Sequence, residues 1–541
     1  MNLIFITGGV VSSLGKGVIT ASIASILEDS GFKLNVLKLD PYLNVDAGTM
    51  NPYEHGEVFV TFDGGETDLD IGHYERFTNI LFSKENNITS GKVYLKVLEK
   101  ERKGEFLGQT IQVIPHVTQE IKNEIYQKLK DYDIGIVEIG GTVGDIESLP
   151  FLEAARQLKI ENPNTLFIHV TFLPFIENTG ELKTKPTQHS VKELRSIGIQ
   201  PDFVILRRNN KTTKIPKDII KKVALFSNLD EKFIIDIPNF KYIYLIPFYL
   251  LKNNFHKLIL KKIKLSKELK ARIDIKKPQE SRWKKIVDIL VKTKKNTNPK
   301  VVIGIVGKYT KLKDSYKSLT EALLHSAIKN EVVLDIKLID SEKVEKIQLQ
   351  NIDGIIIPGG FGSRGIDGKI KVIKFARENN IPILGICLGL QLMLIEFFRN
   401  VIGLKDANST EFDPQTKVPV IDLLENQRNI KNLGGTMRLG NYTCKIKPNT
   451  LAFDIYRTEE IQERHRHRYE ANLEIIQKYS KNIEKNGLII SGVNKETNLV
   501  EIIELKSNKF FMGVQFHPEF NSRIFNPHPI FNYFIELLKN K

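Results

Sequence analysis

Residues 3–17 read LIFITGGVVSSLGKG: an apolar run, Leu3–Thr7, meets Gly8 and Gly9 and leads to Lys16 between Gly15 and Gly17. The helical pattern Ile19–Glu28 follows. Buried strand, glycine-rich turn and helix in that order open a βαβ unit. Glycines permit the tight turn, backbone N–H groups surround phosphate oxygens, and the helix N-terminus adds partial positive charge. Lys16 is placed to reach the outer phosphates of a nucleotide. The pattern departs from G-x-x-x-x-G-K-[ST], because five residues separate Gly9 from Gly15 and Gly17 stands where a metal-binding hydroxyl is usual. Metal ligands must then come from elsewhere. Asp68-Leu69-Asp70 and Glu138, the latter near the end of a predicted strand, are the candidates, since Mg²⁺ takes one or two carboxylates plus phosphate oxygens. Asp145 and Glu147 follow in a glycine-rich turn. Lys183-Thr184-Lys185-Pro186-Thr187-Gln188 packs two cations and three hydrogen-bonding side chains into a segment suited to a polyphosphate.

Working outward, Leu34–Asp40, Ile134–Gly140, Thr165–Phe172 and Phe203–Arg208 are further runs flanked by Gly, Pro or Asp, as buried parallel strands are. A second series begins at Val301–Gly307 and continues through Leu334–Asp340, Gly354–Pro358 and Pro382–Cys387 to a helix near 528–540. The fold class is α/β, with two doubly wound domains. Expected boundaries are 1–265, a basic helical linker over 266–299, and 300–541.

The 541 residues, 41% hydrophobic and 26% charged, are ordinary globular usage and exclude a disordered, collagen-like or coiled-coil protein. Of the net charge of +15, residues 252–300 carry +13. A lysine run whose only aromatics are Phe255 and Trp283 reads as a solvated helix and linker, so no nucleic-acid partner is expected. The N-terminus lacks a basic leader, and the longest apolar stretch, Tyr242–Leu251, is ten residues with Pro247 inside it. No membrane partner is expected, and the location read from this is cytoplasmic. The two cysteines, Cys387 and Cys444, give no disulfide framework.

Cys387 sits in Gly385-Ile386-Cys387-Leu388-Gly389, where an apolar strand meets a helical pattern at 390–398. A nucleophile elbow has this form: the turn exposes the side chain, and the next backbone N–H helps to bind an oxyanion. In Gln515-Phe516-His517-Pro518-Glu519, His517 is the candidate base and Glu519 its orienter, completing a Cys-His-Glu triad. Pro358-Gly359-Gly360-Phe361-Gly362 is a turn able to donate a second oxyanion N–H.

These stretches, with residues 38–77, 137–154, 183–202, 385–391, 463–472 and 515–520, resemble the CTP synthase family over residues 1 to about 530. The resemblance implies a P-loop-type parallel sheet fused to a class I glutamine amidotransferase sheet of flavodoxin-like topology. It implies ATP- and Mg²⁺-dependent amination of UTP at C4 to CTP, the final step of de novo CTP biosynthesis, with ammonia from glutamine. ATP would be held by Ser13, Leu14, Gly15, Lys16, Gly17, Val18, Lys38, Asp70 and Phe240, and Mg²⁺ by Asp70 and Glu138. UTP, and CTP as feedback inhibitor, would be held by Ser12, Asp145, Ile146, Glu147, Lys183, Thr184, Lys185, Pro186, Thr187, Gln188 and Lys222. Glutamine would lie on Gly360, Leu388, Gly389, Leu390, Gln391, Glu411 and Arg468, and His55 on the ammonia route. GTP as allosteric activator and a homotetramer are implied as well. This chain has Pro238-Asn239-Phe240 where the family often has Lys-Asp-Val, and only Asn426 to Leu433 between Glu425 and Gly434. Two other readings share these motifs: an amidotransferase acting on a cofactor carboxylate, and a nucleotide-regulated scaffold.

Overall fold

The computed structural model describes residues 1–51, 56–209, 215–292, 298–308, 313–345, 349–423, 427 and 436–540. The chain divides into two compact units: Met1–Asp46 with Asp70–Asp288, and Ala47–Leu69 with Ile289–Lys541.

In the first unit seven strands form one sheet: β1 (Asn2–Gly8), β2 (Leu34–Asp40), β3 (Asn87–Thr89), β4 (Ile134–Ile139), β5 (Thr165–Phe172), β6 (Phe203–Arg207) and β7 (Ile234–Ile237). Their order is β7-β6-β5-β1-β4-β2-β3, and every pairing is parallel. β1 and β4 are buried along their whole length, which is why their sequences run apolar rather than alternating. Helix α1 (Lys16–Asp29) is buried from Gly17 to Leu27, and Phe5, Leu37, Val137, Phe151 and Phe167 belong to one apolar core. From β1 the order runs to β4 and β2 on one side and to β5 and β6 on the other. The carboxyl ends of β1 and β4 flank that reversal, where open α/β sheets gather ligands.

The lysine-rich stretch is more than a solvated helix. Trp283 is fully buried, its indole N–H donates to Ser25 Oγ at 3.0 Å, and its ring packs on Phe77 and Tyr244. Arg282 pairs with Glu28 at 2.6 Å and Asp29 at 2.9 Å. Phe255 is fully buried too. Two large buried aromatics and a paired arginine thus tie the lysine-rich segment into the fold.

The second unit holds a nine-stranded sheet: β8 (Lys300–Gly307), β9 (Val333–Asp340), β10 (Gly354–Ile357), β11 (Ile383–Ile386), β12 (Arg438–Ile446), β13 (Glu460–His467), β14 (Leu488–Asn494), β15 (Val500–Leu505) and β16 (Phe511–Val514). The order is β9-β8-β10-β11-β16-β15-β14-β12-β13. Its first five strands are parallel and the rest antiparallel. Residues 47–69 belong here, with a hairpin pairing Phe59–Val60 to Glu66–Thr67. Its tip lies on β12 through two left-handed glycines: a Cβ on Gly440 would come 2.6 Å from Gly64 N, and one on Gly64 would come 3.0 Å from Leu439 O. Among the described residues, no helix is long and apolar enough to cross a membrane.

Candidate functional site

In the first unit the turn after β1 is tight. Val10, Ser13 and Gly15 have positive φ, and Gly15 leads directly into α1 at Lys16. Ser12 and Ser13 are exposed and Leu14 is buried. Lys16 Nζ donates to the Gly141 carbonyl at 2.6 Å, across the carboxyl ends of β1 and β4. Burial lowers the Lys16 pKa more than nearby Glu138 raises it. Lys38, on β2, is buried and paired with Asp70 at 2.7 Å and Asp40 at 3.1 Å. Burial works to raise Asp70, but Lys38, with His73 and Lys16, outweighs it and holds this carboxyl well below the usual range.

Glu138, fully buried at the end of β4, accepts from Tyr74 OH at 2.6 Å, while its Oε1 has no hydrogen-bond partner among the described residues. Burial, then the charge of Asp70, raises its pKa. A buried, half-satisfied carboxylate repelled by a second one is a donor set that a divalent cation would complete. Helix α2 (Leu69–Phe77) carries Asp70 to the start of α1, where a Cβ on Gly17 would lie 1.8 Å from Asp70 Oδ1. Asp70 thus occupies the space that a loop hydroxyl would need, which explains the glycine.

The remaining first-unit candidates divide. Val10, Thr142, Val143, Lys185, Pro186 and Ser190 line one cavity. Asp145 Oδ2 accepts from Thr142 N at 2.8 Å and so closes its own turn, while Ile146 and Glu147 are exposed. Thr184 and Gln188 bond to each other at 2.9 Å, Thr187 bonds the Phe172 carbonyl, and Lys183 pairs with Glu181. Lys222 is exposed on the helix Lys217–Ser227, and Phe240 packs edge-on against Tyr249.

In the second unit Cys387 joins β11 to helix α3 (Leu388–Phe397) with φ 52° and ψ −103°. A non-glycine residue held there is strained backbone of the kind found at nucleophile turns. Its N–H donates to Val514 O at 2.7 Å, so the elbow is fastened to β16. His517 follows β16; its Nδ1 and Glu519 Oε1 are 2.7 Å apart, and its N–H donates to Arg464 O at 2.7 Å. Burial works against the imidazolium, but Glu519 and the Cys387 sulfur outweigh it and raise the His517 pKa to about 10. Cys387, His517, Glu519, Gly359, Gly360, Phe361 and Arg466 line one cavity of about 110 Å³. Gly359 touches both partners: a Cβ there would meet His517 Cε1 at 2.7 Å and Cys387 Cβ at 3.6 Å.

Of the expected glutamine contacts, Gly360 lies in this cavity and Leu388 beside it. Leu390 is core, and Gly389 packs on Ile357. Gln391 gives its amide to Tyr469 O at 2.9 Å, and Glu411 accepts from Gly362 N at 2.6 Å. Arg468 donates to Thr436 Oγ1 at 2.9 Å and Gln427 Oε1 at 3.2 Å. Cys444 is buried in the core, with its thiol pKa pushed up by that burial. His55, Glu425 and the stretch up to Gly435, except Gln427, lie outside the described residues.

Arg466 is a residue that sequence reasoning missed. Its carbonyl accepts from Cys387 Sγ at 3.9 Å, its guanidinium bonds Glu66 at 2.8 Å and Gly48 O at 3.1 Å, and it lies over the Phe361 ring. The strand period in ERHRHRYE was the available signal. His465 and His467 bond to each other at 2.9 Å in a buried network, whereas Arg464 and Arg466, of the opposite parity, reach residues 48–66.

The triad predicts a pH response. Glu519→Gln removes the largest contribution that raises His517, so the imidazolium is lost at lower pH. The alkaline limb of the pH profile for glutamine hydrolysis then shifts to lower pH, with kcat down by about 10²–10⁴. A pH–rate profile of both proteins checks this; an unmoved limb counts against the pairing.

A family model described as CTP synthase N-terminus matches residues 2–265, and one described as glutamine amidotransferase class-I matches residues 311–537. The chain is 56% identical over 535 residues to the CTP synthase of Hydrogenobaculum sp. (strain Y04AAS1), covering 98% of this chain and 97% of the relative. It is 53% identical over 544 residues to the CTP synthase of Methanocaldococcus jannaschii, with 98% and 97% covered. A solved structure, the glutaminase domain of Trypanosoma brucei CTPS with bound acivicin, is 39% identical with a TM-score of 0.41, covering 44% of this chain and 94% of that one.

Proposed function

This chain belongs to the CTP synthase family, and on that premise we propose that it makes CTP from UTP, ATP and glutamine. The observation that carries the reading is one chain holding both a Cys387-His517-Glu519 constellation and a phosphate-type loop facing the half-satisfied Glu138. The proposed division is a synthetase part over 1–265, a basic connector over 266–299 and an amidotransferase part over 300–541.

In the synthetase part the loop N–H groups and Lys16 hold the ATP phosphates while Lys38 stands beside the transferring group. Asp70 and Glu138 would hold Mg²⁺, which when bound neutralises charge on the phosphates. The O4 of UTP takes the γ-phosphoryl group, ADP leaves, and C4 acquires a phosphate leaving group. In the amidotransferase part the proton shared by the pair rests on His517 as an imidazolium, and the Cys387 thiolate attacks the glutamine amide carbon. The oxyanion faces the Leu388 N–H and the Gly359–Gly360 turn, and His517 returns the proton to the departing ammonia. Water cleaves the glutamyl thioester to glutamate. Ammonia adds at C4 and phosphate leaves, giving CTP. A protonated amine is no nucleophile, so transfer out of bulk water favours the reaction.

GTP as activator, CTP as feedback inhibitor, a homotetramer and a cytoplasmic location belong to the same proposal, supported by family membership. The acceptor is tested by incubating the protein with UTP, ATP, Mg²⁺ and ammonium chloride. CTP and ADP are expected in equal amounts; ADP without CTP, or CTP without UTP dependence, overturns the choice of acceptor.

A further inference from the structure

Beside the phosphate loop lies a buried polar chain that none of the chemistry above uses. β1 and β5 run in parallel with Thr7 opposite His169 and Gly8 opposite Val170. Thr7 Oγ1 and His169 Nδ1 are 2.9 Å apart, and His169 Nε2 and Ser190 Oγ are 2.8 Å apart. Thr7 and His169 are fully inaccessible, and Ser190 is 7% exposed. Burial and the charge of Lys16 lower the His169 pKa to about 3, so the ring is neutral, with one nitrogen donating and the other accepting. Either tautomer satisfies both neighbours.

The ends of this chain are what make it informative. Thr7 immediately precedes Gly8-Gly9, the entry to the phosphate loop. Ser190 lies on the helix Lys185–Ser196, little more than a turn from Lys185 and Pro186. Its hydroxyl is pressed against the loop: a Cβ on Gly9 would lie 1.5 Å from Ser190 Oγ and 3.2 Å from His169 Cε1. No side chain larger than glycine fits at position 9 while Ser190 keeps this place. The same helix is tied to β5 by Thr187 Oγ1 on the Phe172 carbonyl, and Ser190 lines the cavity shared by Val10, Thr142 and Lys185. A hydroxyl, an imidazole and a second hydroxyl therefore form a strut between the two segments that face the nucleotide phosphates. An apolar contact would bury the same area without fixing a distance, whereas hydrogen bonds set it within a few tenths of an ångström.

We propose that Thr7, His169 and Ser190 form a positioning strut that sets the separation of the ATP loop from the UTP-phosphate segment, making His169 and Ser190 positioning residues for phosphoryl transfer. This rests on the assignment of those two segments to ATP and UTP. Phosphoryl transfer depends on in-line placement of acceptor and phosphorus, and a displacement of about 1 Å costs on the order of 10²-fold in rate. Binding of either nucleotide alone asks nothing of the distance between them.

The test is ammonia-dependent CTP synthesis at saturating ATP and UTP by Ser190→Ala, His169→Asn and the double variant, with the affinity of each nucleotide alone measured by calorimetry. The parent protein making no CTP would refute the nucleotide assignment itself, before the strut is at issue. With an active parent, each single variant is expected to lose about 10- to 100-fold in kcat, with each separate Kd within about threefold. The double variant is expected to be no slower than the slower single, because the strut acts as one unit. Ser190→Ala removes one surface-adjacent hydroxyl and keeps the test valid if His169→Asn fails to fold. A Ser190→Ala kcat within about twofold of the parent, or losses that multiply in the double variant, would overturn the proposal.

Discussion

In a Cys387→Ala variant, glutamine-dependent CTP formation falls by more than about 10³-fold, while ammonium chloride supports synthesis at close to the parent rate. The expectation follows from where Cys387 stands. It is held at φ 52° between β11 and α3, in a cavity with His517 and Glu519, where its sulfur bonds Arg466 O and Gln515 Nε2. Alanine removes the sulfur without changing the backbone requirement, because both residues bear a Cβ. The fold should persist and only nitrogen release should stop. The two arms of a CTP assay, glutamine and ammonium, read this directly. Equal loss in both arms from a folded variant would contradict the separation of the two chemistries.

Lys16→Ala is expected to have the opposite signature: synthesis from either nitrogen source falls by at least about 100-fold, while alkylation of Cys387 proceeds as in the parent. Lys16 begins α1 and reaches across to Gly141 at the end of β4, among Lys38, Asp70 and Glu138. Its ammonium bonds a backbone carbonyl, Gly141 O, whereas Lys38 is paired with two carboxylates, Asp70 and Asp40. In the proposed reaction, removing it would leave developing phosphoryl charge without that partner. Near-parent synthesis would show that this lysine is structural only.

Much of this was legible because its signals are local. An apolar run, a glycine turn and a helical period mark β1 and α1, and the observed strand Asn2–Gly8 extends the expected Leu3–Thr7 by one residue at each end. Cys387 between glycines at a strand end, and His517 two residues before Glu519, need only residue type and spacing to suggest chemistry.

What stayed hidden depends on packing between distant segments. Residues 47–69 belong to the second unit through backbone bonds such as Asn441 N to Phe62 O at 2.8 Å, which no sequence period records. The antiparallel strands β12 to β14 escaped notice because they are partly exposed, with interrupted apolar runs, and β15 because Glu501 and Glu504 interrupt a run that is buried throughout. Trp283 looked like an isolated aromatic in a charged stretch until its partners Ser25, Phe77 and Tyr244 were in place. Gly17 illustrates a third case. Its lack of a hydroxyl was visible as a departure, but the cause, Asp70 occupying the space, is a contact between residues more than 50 positions apart.

The most direct measurement supplies glutamine labelled with ¹⁵N in its amide, together with UTP, ATP, Mg²⁺ and a pool of unlabelled ammonium, and follows nitrogen into the 4-amino group of CTP. If ammonia passes between the two sites as proposed, CTP carries ¹⁵N well above its fraction in the free ammonium, and the excess disappears in Cys387→Ala. CTP with the isotopic composition of the bulk pool, or no CTP from either source, would contradict the account.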